Sequence, residues 1–238
     1  DGVRQPGEPA IPGVTITLLD AGADGVIGTA DDGPSRTDVT DANGDYLFDT
    51  GLTAGRTYQI VETQLGIYGN SPAGPAVAIP VANLPATGST GNNFPEVLGS
   101  LAGSVYFDAN SNGVRDPGEP GIGGVPVELA GTDVDGNPVT RNATTAADGS
   151  YLFELLPAGT YTVTEAVQPA NYTDGQESAG SAGGVVGTET ITLIPLSAGN
   201  DLTAYNFGEV GVPVSGTVYF DRDRSGTREA GEPGIPGV

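Results

Sequence analysis

Apolar and polar residues alternate with a period of two in "GVTITLL" (13–19), "DYLFD" (45–49), "TYQIVE" (57–62), "VPVEL" (125–129), "SYLFE" (150–154), "TYTVTE" (160–165) and "ETITLI" (189–194). Successive side chains of an extended strand point to opposite faces, so this period marks strands with one buried face. No window carries a helical period with capping residues. The runs are short and are separated by clusters of Gly, Asn, Asp and Pro, which make turns. About seven such strands per repeat predict an all-β fold of tandem immunoglobulin-like antiparallel β-sandwiches. Tyr46, Phe48, Tyr151, Phe153 and Tyr161 fall on the apolar phase and are expected in the cores rather than on an aromatic binding platform.

The pattern repeats. "DGVRQPGEPAIPGV" (1–14) returns as "NGVRDPGEPGIGGV" (112–125) and as "SGTREAGEPGIPGV" (225–238). "TDANGDYLFDTGLTAGRTYQIVE" (40–62) matches "TAADGSYLFELLPAGTYTVTE" (145–165), and "NFPEV" (93–97) matches "NFGEV" (206–210), in the same order. Three ordered matches establish a tandem repeat. They divide the chain into a first sandwich over 1–98, expected to lack its opening strand, a complete second one over 99–211, and an opening strand and loop of a third over 212–238. The chain is therefore expected to be an excerpt of a longer array, or a unit whose terminal strand completes the sheet of the next copy. Both arrangements give head-to-tail fibres, with neighbouring repeats or further copies of the chain as partners.

In an antiparallel sandwich successive loops alternate between the two ends. The loop after the first strand of the second repeat (108–119) and the third loop (146–149, or 40–44 in the first repeat) are thus expected at one pole, facing the next domain. Asp148, or Asp41 and Asn43, would approach the 108–119 loop there.

Composition narrows the chemistry. Gly (39) and Pro (19) are scattered between the strand-like runs, which suits many turns rather than a disordered linker. With no Cys there is no disulfide, and with all 8 basic residues Arg there is no Lys to form a Lys–Asn isopeptide cross-link. A net charge of −22 disfavours nucleic acid and acidic lipid as partners, and it favours bound counter-ions. No stretch has the roughly 20 apolar residues of a membrane-spanning helix. Without His or Cys, Ser–His and Cys–His catalysis are excluded. The acids sit in turns rather than in a glycosidase-like pair, so a non-enzymatic role is expected.

The strongest chemical signal is "DANSNGVRDPGE" (108–119), which meets the pattern D-x-[DN]-x-[DN]-G-x5-E in full. Calcium takes six to eight hard oxygens, and such a loop supplies them from fixed positions. Here these are Asp108, Asn110, Asn112, the Val114 carbonyl, Asp116 and Glu119, with Gly113 at the sharp turn. The third copy offers Asp221, Asp223, Ser225, the Thr227 carbonyl, Glu229 and Glu232. The first copy keeps only Asp1, Gln5 and Glu8 at ligand positions and is not expected to hold calcium alone. "DAGADGVIGTADD" (20–32) is a further candidate through Asp20, Asp24, Asp31 and Asp32, balanced against a plain hairpin loop. Its counterpart around Asp133 and Asp135 reads as a turn.

"GSVYFDANSNGVRDPGEPGIGGVPVEL" followed by "ADGSYLFELLPAGTYTVTE" resembles the B-type repeats of serine-aspartate-repeat (Sdr) surface adhesins and, more broadly, the Cna-B (prealbumin-like) domains of bacterial cell-surface proteins. The resemblance implies a calcium-stabilised sandwich serving as a rigid extracellular stalk segment. It carries calcium ligation over to Asp108, Asn110, Asn112, Asp116 and Glu119 and to Asp221, Asp223, Ser225, Glu229 and Glu232. Some relatives cross-link themselves through Lys, which this sequence lacks. "LPATG" (84–88) fits a sortase signal, but "STGNNFPEV" follows it instead of an apolar segment and basic tail, so it reads as loop sequence. Two other roles stay open: an adhesin module gripping a host or matrix ligand, and a filament subunit assembling by strand donation.

Overall fold

The computed structural model describes residues 4–5, 7–75, 77–212 and 214–237, and among these it contains strands and turns but no helix. In the first repeat β1 (Thr15–Asp20), β2 (Arg36–Val39), β3 (Tyr58–Glu62) and β5 (Ala78–Val81) form one sheet in the order β2-β1-β3-β5. β4 (Gly69–Asn70) and β6 (Glu96–Val97) pair as a two-stranded ribbon.

The second repeat is a two-sheet sandwich. One sheet runs β10 (Ser150–Leu156), β7 (Gly99–Phe107), β15 (Asp201–Gly211), β12 (Tyr172–Ser178). The other runs β13 (Val185–Gly187), β14 (Thr190–Leu196), β11 (Gly159–Glu165), β8 (Pro126–Asp133), β9 (Pro138–Thr144). All pairings are antiparallel except β15 with β7, the last and first strands of the repeat, which run parallel and close the domain. They approach so tightly at Gly103 that a β-carbon there would overlap the Tyr205 carbonyl oxygen. Only glycine fits such an approach.

Strand periodicity builds the core. Tyr161 and Val163 of β11, Val127 and Leu129 of β8, Ile191 and Ile194 of β14, and Leu101, Val105, Tyr205 and Phe207 of the facing sheet are all buried in one cluster. A separate cluster of Val14, Ile16, Leu18, Tyr58, Ile60, Val81 and Leu84 forms the core of the first repeat. Leu84, the first residue of "LPATG", is therefore a core residue of that repeat.

Two sequence expectations come out differently. Residues 45–49 form no strand, although the matching segment is β10 in the second repeat. The reason is pairing: β10 is an edge strand held only by β7, and no described strand flanks 45–49. Tyr46 and Phe48 still pack on the core of their repeat, their rings 5.9 Å apart. They also line a cleft of about 460 Å³ with Leu18, Ile60 and Leu84. The third-copy segment around "TVYF" (217–220) likewise forms no strand, only a bridge between Tyr219 and Gly234 that mirrors the bridge between Tyr106 and Gly121. Val218 and Phe220 are exposed there, whereas Val105 of β7 is fully buried.

Candidate functional site

The 108–119 loop leaves the end of β7 and returns toward β8. Its entrance is held by backbone bonds: Asp108 N–H donates to the Glu209 carbonyl (2.8 Å), Phe107 N–H to Pro120 (2.9 Å) and Ile122 N–H to Val105 (2.9 Å). Gly113 takes φ = +73°, the left-handed region that an L side chain resists.

Within this frame the predicted ligands converge. Asp108 is 1% exposed, and its two carboxylate oxygens accept from the backbone N–H groups of Asn112 (3.2 Å) and Gly113 (2.8 Å). The Glu119 carboxylate accepts from Ala109 N–H and Asp116 N–H, 2.9 Å each, clamping both ends of the loop. Asn110 Nδ2 and Asn112 Nδ2 both donate to Asp116 Oδ2 at 2.9 Å. Asn112 Oδ1 accepts the Val114 N–H (2.8 Å). Asp108, Asn110, Asn112, Val114, Asp116 and Glu119 thus occupy one compact turn.

The third copy reproduces the bonds that the first Asp and the last Glu make to the backbone of this turn, but not the two asparagine bonds to Asp116, because Asp223 and Ser225 replace those asparagines. Asp221 accepts from Ser225 N–H (3.1 Å) and Gly226 N–H (3.0 Å), and Glu232 accepts from Arg222 N–H (2.8 Å) and Glu229 N–H (3.1 Å). Ser225 Oγ donates to the Thr227 carbonyl (3.1 Å). Carboxylate oxygens of Asp221, Asp223 and Glu232 lie within 4.8 Å of one another. In the first copy Asp1 lies outside the described residues, while Glu8 keeps its clamp, accepting from Gln5 N–H at 2.8 Å.

The third loop stands at the same pole, as strand counting predicts, but it contributes a backbone oxygen. Arg115 Nη2 donates to the Asp148 carbonyl (2.8 Å), and Arg4 Nη1 donates to the matching Asn43 carbonyl (2.7 Å). The Asp148 carboxylate accepts from Ser150 Oγ (2.6 Å) and Ser150 N–H (3.0 Å), which hold its pKa low. The Asp41 carboxylate similarly accepts from Asp45 N–H (3.0 Å) and Asn43 N–H (2.7 Å). Both acids cap their own turns.

The 20–32 loop is organised otherwise. Asp20 is buried and ion-paired with Arg56 (3.0 Å). Asp31 accepts from Thr29 Oγ1 (2.8 Å), Ala23 N–H (2.6 Å) and Asp24 N–H (3.1 Å). Asp24 accepts from Val26 N–H (2.9 Å) and Asp32 from Gly28 N–H (2.7 Å). Asp133 caps the tight β8–β9 turn by accepting from Asn137 N–H (2.8 Å) and Asn137 Nδ2 (3.0 Å).

The loop carboxylates project a field inward. Tyr106 is buried with no partner for its hydroxyl, and burial followed by the charges of Asp108, Glu119 and Asp116 pushes its pKa up to about 12. Three carboxylates in one turn raise the local negative potential, and an oxygen-seeking cation would offset it.

Periodicity marks a second group of acids that spacing motifs miss. Glu165 continues the inward phase of Tyr161 and Val163, Glu62 that of Tyr58 and Ile60, and Glu209 that of Tyr205 and Phe207. All three are buried. A Glu in phase with an apolar stripe is the signal that could have found them.

A β-sandwich with an acidic turn at one pole, in a chain whose sequence repeats in tandem, defines a class of modular β domain. Residues 99–202, most of the second repeat, match the family model described as "SdrD B-like domain". Over its whole length the chain is 31% identical, across 252 aligned residues, to serine-aspartate repeat-containing protein F of Staphylococcus epidermidis. It is 29% identical, across 250, to serine-aspartate repeat-containing protein D of Staphylococcus aureus. The alignments cover 100% of this chain but only 14% and 18% of those relatives. Among solved structures, GBS52, the minor pilin of Streptococcus agalactiae, aligns with 14% identity and TM-score 0.34, covering 90% of each chain. The Bacillus anthracis TIE protein aligns with 14% identity and TM-score 0.41, covering 90% of this chain and 36% of its own.

Proposed function

We propose that the chain is a calcium-braced stalk segment of a bacterial surface protein, displayed outside the cell and acting mechanically rather than catalytically. The observation that carries this reading is the recurrence at 108–119 and 221–232 of one turn in which the first Asp and the last Glu accept matching backbone N–H groups, with the carboxylates of Asp221, Asp223 and Glu232 drawn together in the second of them. Calcium would take oxygens from Asp108, Asn110, Asn112, Val114, Asp116 and Glu119, and from Asp221, Asp223, Ser225, Thr227, Glu229 and Glu232. Bound ion removes the mutual repulsion of the loop acids and ties the end of the first strand to the start of the second. Because Asp108 N–H is bonded to the last strand at Glu209, stiffening this turn also stiffens the exit toward the next repeat.

A site that binds only the folded state adds RT ln(1 + [L]/Kd), about 2.7 kcal/mol at a ligand concentration 100-fold above Kd. Thermal melting in excess chelator and in millimolar calcium tests this. A rise in melting temperature with calcium that disappears in Asp108→Ala/Glu119→Ala supports the reading, and identical curves with and without calcium refute it.

Assembly by strand donation is a second reading. The exposed Val218 and Phe220, and the clefts beside the unpaired 45–49 segment, favour it. Sedimentation velocity across a range of concentrations tests it: growth into chains of copies supports donation, and a constant monomer mass rejects it.

A further inference from the structure

We infer that each sandwich carries a second divalent-cation site, separate from the loop, inside the end of the domain where the last strand leaves it. In the second repeat Glu165, Glu189 and Glu209 supply it, with Asp174 adjoining; in the first repeat Glu62, Glu96, Asn70 and Gln64 do.

The geometry in the second repeat is that of an oxygen-only pocket. Carboxylate oxygens of Glu165, Glu189 and Glu209 lie within 4.8 Å of one another, and so do those of Asp174, Glu177 and Glu189. Glu165 is 3% exposed and Glu209 1%. Neither carboxylate oxygen of Glu165 has a hydrogen-bond partner, nor has Oε2 of Glu189. Leaving a buried acceptor unsatisfied is destabilising, and more so when it is charged, so a set of them facing each other calls for a cation or a shared proton. No Arg lies in the cluster: the neighbouring polar group is the Gln168 amide, which donates to Glu209 Oε2. Burial first, and then the charges of Glu209 and Glu189, hold the Glu165 carboxyl well above the usual carboxylate range.

The first repeat builds the same pocket from partly different residues, and this second occurrence separates a site from an accident of packing. Glu62 stands at the end of β3 as Glu165 stands at the end of β11, and Glu96 lies in "NFPEV" as Glu209 lies in "NFGEV". Asn70 pairs across the strands with Glu96 as Asp174 does with Glu209. Gln64 Nε2 donates to Glu96 Oε2 (2.6 Å), repeating the Gln168 contact. Glu62 Oε2, Gln64 Oε1, Asn70 Oδ1 and Glu96 Oε1 are all buried without partners. Each is a hard oxygen, the donor type calcium selects and softer metals do not.

The position suggests what the ion does. It would join the end of β11 (or β3) in one sheet to the end of β15 (or β6) in the other. In the first repeat this pole meets the second: Ala158 N–H donates to the Ile67 carbonyl at 3.1 Å, and Gly69 lies against Ala198. A cation at this spot pins the last strand just before the chain passes into its neighbour.

Calorimetric titration of calcium into the full chain tests this, with the loops silenced by Asp108→Ala, Glu119→Ala, Asp221→Ala and Glu232→Ala. Circular dichroism shows whether each variant is folded. The expected result is that the folded, loop-silenced chain still takes up calcium. Adding Glu165→Gln/Glu209→Gln should remove one ion, and adding Glu62→Gln/Glu96→Gln should remove another. In chelator, Glu165→Gln/Glu209→Gln should melt higher than its parent, because it removes buried like charges. A folded loop-silenced chain that takes up no calcium, or Glu→Gln variants with undiminished uptake, would overturn the inference; the first result would identify the cluster as acids sharing protons. If the loop-silenced chain binds as many ions as the parent, the loop reading fails and this one stands.

Discussion

In the second repeat Tyr151 and Phe153 ride on a strand hydrogen-bonded to β7, whereas in the first repeat Tyr46 and Phe48, at the matching positions, ride on a segment with no strand partner among the described residues. The sequences "DYLFD" and "SYLFE" carry the same alternation and the same aromatic pair. What separates them is the neighbour. β7 gives β10 its backbone partners, joins β15 in parallel, and leads straight into the 108–119 loop. Alternation therefore specifies which face of a segment is buried, while strand formation depends on a partner supplied elsewhere in the chain.

The largest effect should come from breaking the strand that makes the difference. Leu101 of β7 is fully buried in the second core, and Leu101→Ala should cost about 2–5 kcal/mol there. Because the first core is a separate cluster, scanning calorimetry should show the second repeat's transition falling while the first stays put. Parallel movement of both transitions would show that the two cores melt as one unit.

Next comes calcium. Withdrawing it should lower the second repeat's transition by about 2.7 kcal/mol at 100-fold saturation. The same treatment should leave less of an effect on the first repeat's loop, whose matching turn offers Gln5 where the second has Asp116. Limited proteolysis after chelation should cut first within 108–119.

A smaller effect separates the two β-hairpin connections. Asp20 begins a long loop in the first repeat and is neutralised by Arg56, so Arg56→Gln should destabilise that repeat by about 1–3 kcal/mol by leaving a buried carboxylate unpaired. If Asp20 instead ligates calcium with Asp24, Asp31 and Asp32, calcium should restore the lost stability in the variant; no restoration assigns the loop to turn-making. The smallest effect belongs to the tight β8–β9 turn. The Asn137 side chain first, then backbone N–H groups, lower the Asp133 pKa below its ordinary 3.8. A depressed carboxylate pKa contributes stability that is present above the unfolded value and lost as pH falls through the folded one. The Asp133 carboxyl resonance followed by NMR should thus titrate below pH 3.8, and a midpoint at or above that value would contradict the capping role.

Much of this was legible in the residues themselves. Six of the seven alternating runs are strands, and the D-x-[DN]-x-[DN]-G pattern marks a turn in which Asp108, Asn110 and Asn112 each accept from a backbone N–H two to five residues on, while Glu119 reaches back to the N–H groups of Ala109 and Asp116. Counting strands also put the 146–149 loop at the correct pole. That count could not show that Asp148 would offer its carbonyl to Arg115 while its carboxylate turned to Ser150. Nor could spacing find Glu165 and Glu209, which are 44 residues apart in sequence and meet only because β11 and β15 face each other across the sandwich. The parallel closure of β7 on β15 was hidden for the same reason: both strands read alike whichever way a neighbour runs.

Amide hydrogen exchange read residue by residue, in chelator and in millimolar calcium, bears most directly on the calcium brace. Calcium should slow exchange at Ala109, Asn112, Gly113 and Asp116, the amides that already bond the loop carboxylates, and at Arg222, Ser225, Gly226 and Glu229 in the third copy. Exchange at these amides that is the same with and without calcium would contradict the account.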